Sequence, residues 1–145
     1  MPARGRILGI DYGQRRVGLA ISDPSGRIAF PLKTIDRKNS PLSLEDQIGA
    51  LVQEHEITRV VVGLPLTTLG EKGPGAQEVE AFVSVLRTRL GCEVLTCDER
   101  FSSARAVRAL HEMGERTGTD KGRVDQISAT MILQNFLDRS NRDTC

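Results

Sequence analysis

An acidic residue at the end of an apolar run is the feature that most constrains this chain. Residues 7–20 have the sequence Ile-Leu-Gly-Ile-Asp-Tyr-Gly-Gln-Arg-Arg-Val-Gly-Leu-Ala, which predicts a core strand, a tight turn and a second core strand. Asp11 closes the first run, and Gly13 suits the abrupt bend that follows. Because a buried carboxylate is costly without a partner, Asp11 is explained either by a bound metal ion or by a turn in which its side chain binds its own backbone.

The hydrophobic pattern of the remaining chain predicts an α/β fold. Three strands with short connections form an antiparallel meander, and two later strands connect through helices, so we expect these to add in parallel to the first. The result is a five-stranded mixed sheet with helices on both faces. The predicted strands are Arg6–Asp11, Arg16–Ser22, Arg27–Thr34, Thr58–Leu64 and Cys92–Cys97. The predicted helices are Leu44–Glu54, one that carries the stripe Val79 to Leu90, one from Phe101 to Gly114, and Val124–Leu137.

Composition limits the function. The 145 residues suit a single domain spanning 1–145 with its core at about 6–138. No apolar run approaches the ~20 residues that span a membrane, and no signal-type stretch begins the chain, so we expect a cytoplasmic protein without a membrane partner. Net charge is +1 and the chain has one Tyr, four Phe and no Trp, so nucleic-acid binding would need a local basic patch rather than an aromatic platform.

Acidic residues from distant parts of the chain are expected to meet at one edge of this sheet. Asp11 ends the first strand, and Asp98 and Glu99 follow the last, where α/β folds usually bind ligands. Asp125 lies on the apolar stripe of the last helix, in its predicted first turn, where the helix dipole alone could also explain a carboxylate. Asp11, Glu99, Asp98 and Asp125 are therefore our candidate metal ligands and catalytic residues.

Such a group of carboxylates favours hard divalent cations. The acids would repel one another unless a cation compensates, and Mg²⁺ or Mn²⁺ suits a site of oxygen ligands. Two ions about 4 Å apart can activate water and steady a leaving oxygen, which predicts phosphodiester hydrolysis.

Basic and hydroxyl residues flank the same edge. We expect them to bind the phosphates of a nucleic acid, although a solvated charged face is the alternative. The candidate substrate-binding residues are Arg15, Arg16, Arg100, Ser102, Ser103, Arg105, Lys121 and Arg123.

Several motifs together resemble one known family. They are Gly9-Ile10-Asp11-Tyr12-Gly13, Arg16-Val17-Gly18-Leu19-Ala20, Val62-Gly63-Leu64-Pro65, Asp98-Glu99-Arg100 and Asp125, and they resemble the YqgF/RuvX family of Holliday junction resolvases, also described as pre-16S rRNA nucleases. The resemblance covers about residues 6–138. It implies an RNase H-like fold and metal-dependent cleavage of RNA or structured DNA. Its acids carry over as Asp11, Asp125 and either Glu99 or Asp98, of which we favour Glu99.

Two departures from the family pattern and two other functions stay open. Thr67-Thr68-Leu69-Gly70 replaces an Asn-Met-Asp-Gly-like segment, and residues 115–123 are of mixed charge where the family is often basic. The alternatives are a non-catalytic RNA-binding module in ribosome maturation or transcription, or an actin-like nucleotide-binding ATPase. Junction resolution would favour a homodimer, whereas trimming of an RNA end would need only a monomer.

Overall fold

The computed structural model describes residues 5–65, 73–98 and 121–143. Its strands are β1 (Arg6–Asp11), β2 (Arg16–Ser22), β3 (Ala29–Asp36), β4 (Ile57–Leu64) and β5 (Glu93–Asp98). Its helices are α1 (Leu44–Glu54), α2 (Pro74–Arg89) and α3 (Lys121–Asp143). The predicted helix from Phe101 to Gly114 lies outside the described residues.

The strands form one mixed sheet in the order β3-β2-β1-β4-β5. β2 is antiparallel to both of its neighbours, β1 and β3. β4 is parallel to β1, and β5 is parallel to β4. The predicted fold class is therefore confirmed. The carboxyl ends of β1, β4 and β5 lie at the same edge of the sheet, which we call the carboxyl edge.

Alternation along the strands divides the core into two layers. Leu8 and Ile10 of β1 pack with residues of α1 and α2 on one face of the sheet. Ile7 packs with Ala129 and Leu133 of α3 on the other face. Since successive residues of a strand point to opposite faces, the odd-numbered positions of β1 face α3.

The predicted start of the third strand is wrong by two residues, and the preceding turn explains why. The Asp23 carboxylate accepts hydrogen bonds from the backbone N–H groups of Arg27 and Ile28 at 2.8 and 3.0 Å and from the Ser25 hydroxyl. These donors are therefore held in the turn, and β3 begins only at Ala29. β3 lies at the edge of the sheet, and the β2–β3 register shifts beside Pro31, which has no backbone N–H to donate to a ladder.

The helix ends follow local signals unevenly. α1 matches its predicted bounds, and the Ser43 side chain caps it by accepting from the N–H of Asp46 at 3.1 Å. α3 begins at Lys121, three residues before the predicted start, and continues to Asp143. No helix in the described ranges is long and apolar enough to cross a membrane.

Candidate active site

Asp11 lies at the carboxyl edge in a nearly buried position. It is the last residue of β1, and only 6% of its surface is exposed. Strand alternation places it on the same face as Ile7 and Gly9, which is the face that α3 covers. In the ladder between β1 and β2 it is paired with Gly18. Asp11 is therefore held by a core strand while it faces the last helix.

Asp125 reaches the same place because Gly18 has no side chain. A Cβ built on Gly18 would overlap the backbone carbonyl of Asp125 and would come within 3.1 Å of the Asp125 Cβ. The helix backbone thus lies directly on the strand residue that is paired with Asp11. The structure brings these two predicted acids, 114 positions apart in the chain, to one point of the sheet.

Asp125 is bound by Arg16. The Nε–H of Arg16 donates to Oδ2 of Asp125 at 2.9 Å, and the two side chains are only 16% and 15% exposed. Arg16 is the first residue of β2 and shares a face with Gly18. Our expectation that Asp125 sits in the first turn of its helix is wrong, since α3 begins at Lys121. The helix dipole, which acts within the first turn, is therefore a weaker explanation of this carboxylate than its contacts with the sheet.

The turn that follows Asp11 is fastened from two sides. Arg37 donates to the Tyr12 hydroxyl at 3.1 Å and to the Gly13 carbonyl at 3.0 Å, and its guanidinium lies 5.2 Å from the centre of the Tyr12 ring. Gln14 donates to the carboxylate of Glu78 in α2 at 3.1 Å. Arg37 could not be identified from the sequence, because nothing near it in the chain indicates that it contacts this turn.

The close fold of that turn depends on Gly13. A Cβ on Gly13 would overlap the carbonyl oxygen of Arg16. The spacing of the motif thus brings Asp11 and Asp125 together, through Gly13, Arg16 and Gly18. Gly13 lets the turn close, Arg16 binds Asp125, and Gly18 lets the helix approach Asp11.

Asp98 ends β5 at the same edge, but on the other face of the sheet. It is in register with Leu64, whose side chain packs in the layer of α1 and α2. Val94, four residues before Asp98 in β5, packs in that layer too, whereas Cys97 packs against α3. Strand alternation therefore places Asp98 on the face away from Asp11 and Asp125. Glu99 lies outside the described residues.

The candidate substrate-binding residues are distributed unevenly. Arg15 is exposed in the turn between β1 and β2, beside Arg16, and Lys121 and Arg123 belong to the first turn of α3. Arg37 and Lys38, which are also exposed, lie near Arg15, because the Arg37 N–H donates to the Arg15 carbonyl at 2.9 Å. Outside the described residues lie Arg100, Ser102, Ser103 and Arg105.

The donor set suits a hard divalent cation but is incomplete. Asp11 and Asp125 offer carboxylate oxygens at one place, the ligands that Mg²⁺ and Mn²⁺ prefer. Among residues 5–65, 73–98 and 121–143 no group of three or more acidic, histidine or cysteine side chains could hold a metal ion. These two acids suit such a site, in which water, substrate phosphate or a further side chain would complete the coordination.

Comparison with known proteins gives consistent matches. The family profile described as "RuvX: Holliday junction resolvase" matches residues 5–139. A protein of Chloroflexus aurantiacus named "Putative pre-16S rRNA nuclease" is 47% identical over 137 residues, covering 93% of this chain and 89% of the relative. One of the same name from Ruminiclostridium cellulolyticum is 38% identical over 134 residues, covering 92% and 94%.

A solved structure shares the fold. The structure of T. thermophilus RuvC in complex with Holliday junction substrate matches with a TM-score of 0.55 at 15% identity, covering 94% of this chain and 96% of that chain. At this identity the likeness concerns the fold alone, and it agrees with the RNase H-like architecture expected from the motifs.

Proposed function

Because this chain belongs to the RuvX family of Holliday junction resolvases, we propose that it is a nuclease that hydrolyses phosphodiester bonds with the help of divalent cations held at the carboxyl edge. One observation carries this proposal. The backbone of α3 at Asp125 lies on Gly18, which is the ladder partner of Asp11. Two carboxylates that meet in a largely buried place repel each other; Arg16 offsets the charge of Asp125, and a bound cation would offset the remainder.

Asp11, Asp125 and Glu99 are the residues that we assign to the cations. The assignment of Glu99 over Asp98 is supported by the register of β5, which puts Asp98 on the opposite face of the sheet from Asp11. When bound, divalent cations at such a site activate a water and neutralise the charge that develops on the leaving oxygen. We assign two Mg²⁺ or Mn²⁺ ions, as the phosphodiester chemistry suggests.

The fold holds Asp11 and Asp125 in fixed positions. Asp11 extends from a strand whose neighbours Leu8 and Ile10 are fully buried, so its backbone cannot shift without disrupting the core. Asp125 is held by the packing of Ala129 and Leu133 and by the bond from Arg16. Carboxylates held in this way need little reorganisation when substrate binds.

Substrate phosphates would be positioned by cationic side chains around the edge. Arg15 is exposed in the turn next to Asp11, and Lys121 and Arg123 begin the helix that carries Asp125. Such contacts position a nucleic acid without reading its sequence. We assign the same function to Arg100, Ser102, Ser103 and Arg105.

A substrate panel tests the proposal. The purified protein is incubated with a precursor of 16S rRNA, single-stranded RNA, single-stranded DNA, duplex DNA and a four-way junction, each with Mg²⁺, Mn²⁺ or EDTA. We expect cleavage of the rRNA precursor or the junction with either cation and none in EDTA. Binding of RNA in EDTA without cleavage in any cation would instead support a non-catalytic RNA-binding module. A rise in melting temperature with ATP and Mg²⁺, again without cleavage, would support the ATPase alternative.

A further inference from the structure

Arg16 is a positively charged side chain of the candidate site, and the structure shows it bonded to Asp125. Its Nε lies 2.9 Å from Oδ2 of Asp125, and the two side chains are only 16% and 15% exposed. We propose that Arg16 is a positioning residue that orients the Asp125 carboxylate and weakens the binding of divalent cations to the site. The proposal rests on the proposed function, because it concerns the same metal site.

The first part of the argument is geometric. A carboxylate offers two oxygens and about four acceptor positions, and the hydrogen bond from Arg16 holds Oδ2 of Asp125 while it uses one of these positions. The donor is the Nε–H of the guanidinium, and Arg16 itself is the first residue of β2. Arg16 is anchored by the ladder pairing with Asp36 and by the turn that Gly13 permits, so its own position is well defined.

The second part is electrostatic. When ionised, Asp11 and Asp125 bring two negative charges to this place, and the Arg16 guanidinium bonded to Asp125 offsets one of them. The groups are largely withdrawn from water, where charge interactions are screened less than at the surface. Removal of Arg16 would therefore strengthen the attraction for a divalent cation. The same change would free the Asp125 carboxylate to rotate, and small misplacements of catalytic groups are costly to turnover.

This assignment differs from a substrate contact in what it predicts. A residue that binds a phosphate of the nucleic acid would raise KM when removed and would leave cation binding unchanged. A residue needed only for folding would lower the melting temperature and weaken or preserve cation binding. Only a positioning residue that also opposes the cation's charge makes cation binding tighter and turnover slower when it is removed.

The test measures Mn²⁺ binding without substrate, by isothermal titration calorimetry, together with kcat, KM and melting temperature. For Arg16→Gln we expect the Mn²⁺ dissociation constant to fall about ten-fold, because a positive charge is lost. We expect kcat to fall about 10- to 100-fold, because the carboxylate is no longer held, with KM changing less than two-fold. Arg16→Lys keeps the charge without the Nε–H, so it should bind Mn²⁺ like wild type and still lose turnover.

Arg89→Gln is the matched control. Arg89 also pairs with an aspartate, Asp46, at 3.0 Å, but both side chains are more than half exposed and lie on helices α1 and α2. The same charge is therefore removed away from the site, and we expect the Mn²⁺ dissociation constant to remain unchanged.

Several outcomes would overturn the proposal. Unchanged or weaker Mn²⁺ binding by folded Arg16→Gln would do so, as would a raised KM with normal kcat, which would make Arg16 a substrate contact. If Arg16→Gln does not fold, wild-type turnover by Arg16→Lys would overturn it. A wild-type protein that binds Mn²⁺ but cleaves nothing would contradict the proposed function, and the Mn²⁺ affinity of Arg16→Gln would still decide the present proposal. A wild type that binds no Mn²⁺ would overturn both.

Discussion

Gly18 of β2 lies directly against the backbone carbonyl of Asp125 in α3. This contact brings the last helix against the second strand, beside the residue that is paired with Asp11. It also explains the spacing of the motif in chemical terms. Each of the residues Asp11, Gly13, Arg16 and Gly18 either belongs to the candidate site or leaves the space that the site needs.

Gly18→Ala should separate the last helix from the sheet. Its new Cβ would meet backbone atoms, which cannot move aside as a flexible side chain could. We expect a loss of about 1–3 kcal/mol or more in the free energy of unfolding, measured in urea, as for other additions to a packed core. Cleavage should fall further than the folded fraction does, because Asp125 is displaced.

Gly91→Ala is the control for that measurement. Nothing lies within 4 Å of a Cβ at Gly91. The substitution should therefore be neutral or slightly stabilising. If Gly18→Ala unfolds at the same urea concentration as Gly91→Ala, the close contact between β2 and α3 does not exist.

Asp11→Asn should remove activity without damaging the fold. The substitution keeps the shape of the side chain but removes a charge at the reacting centre, so we expect cleavage to fall roughly 100-fold or more. The melting temperature in EDTA should stay equal or rise, because a carboxylate that faces Asp125 is removed. The control is Asp138→Asn, an exposed position on the same helix about 20 Å along its axis from Asp125. Normal cleavage by Asp11→Asn would exclude it as a catalytic residue.

Glu99→Gln and Asp98→Asn form a matched pair that tests the third ligand. The register of β5 places Asp98 on the face of α1 and α2. Because successive residues of an extended chain alternate between faces, Glu99 would reach the face of Asp11 if the chain stays extended for one more residue. We expect Glu99→Gln to lose cleavage and Asp98→Asn to keep most of it, on whichever substrate the wild type cleaves. Loss of cleavage by Asp98→Asn alone would reverse the assignment.

Asp23 should make the stability depend on acidic pH. Hydrogen bonds from the Ile28 N–H, the Ser25 hydroxyl and the Arg27 N–H hold the pKa of Asp23 well below its ordinary value of 3.8. A carboxyl whose pKa is depressed on folding stabilises the protein above the unfolded-state pKa and loses that contribution as pH falls toward the folded-state pKa. Urea unfolding should therefore show wild type more stable than Asp23→Asn at pH 6, with the difference shrinking below about pH 4. A difference that stays constant down to pH 3 would contradict the pKa shift.

The sequence was sufficient where the signals are local. The bounds of β1, β2 and α1 follow from alternating apolar residues and from the Ser43 cap, and the structure confirms all three. The order of strands and crossover helices was also sufficient to predict which strand ends meet at the carboxyl edge.

Features that depend on contacts between distant residues could not be predicted from the sequence. The start of β3 depends on Asp23, whose carboxylate binds two N–H groups before the strand begins. The partner of Arg16 lies 109 positions away, so nothing beside it in the chain distinguishes a bond to Asp125 from a contact with phosphate. The face on which Asp98 lies depends on the register between β4 and β5, which the sequence does not specify by itself.

Mn²⁺ binding to Asp11→Asn and Asp125→Asn tests most directly whether these acids form one cation site. In calorimetric titrations without substrate, we expect the wild type and the control Asp138→Asn to bind Mn²⁺ with the same affinity. Each of the two site variants should bind at least about ten-fold more weakly, because the charge of the ligands sets the affinity for a hard cation. Binding of Mn²⁺ by both site variants as tightly as by the wild type would contradict the account.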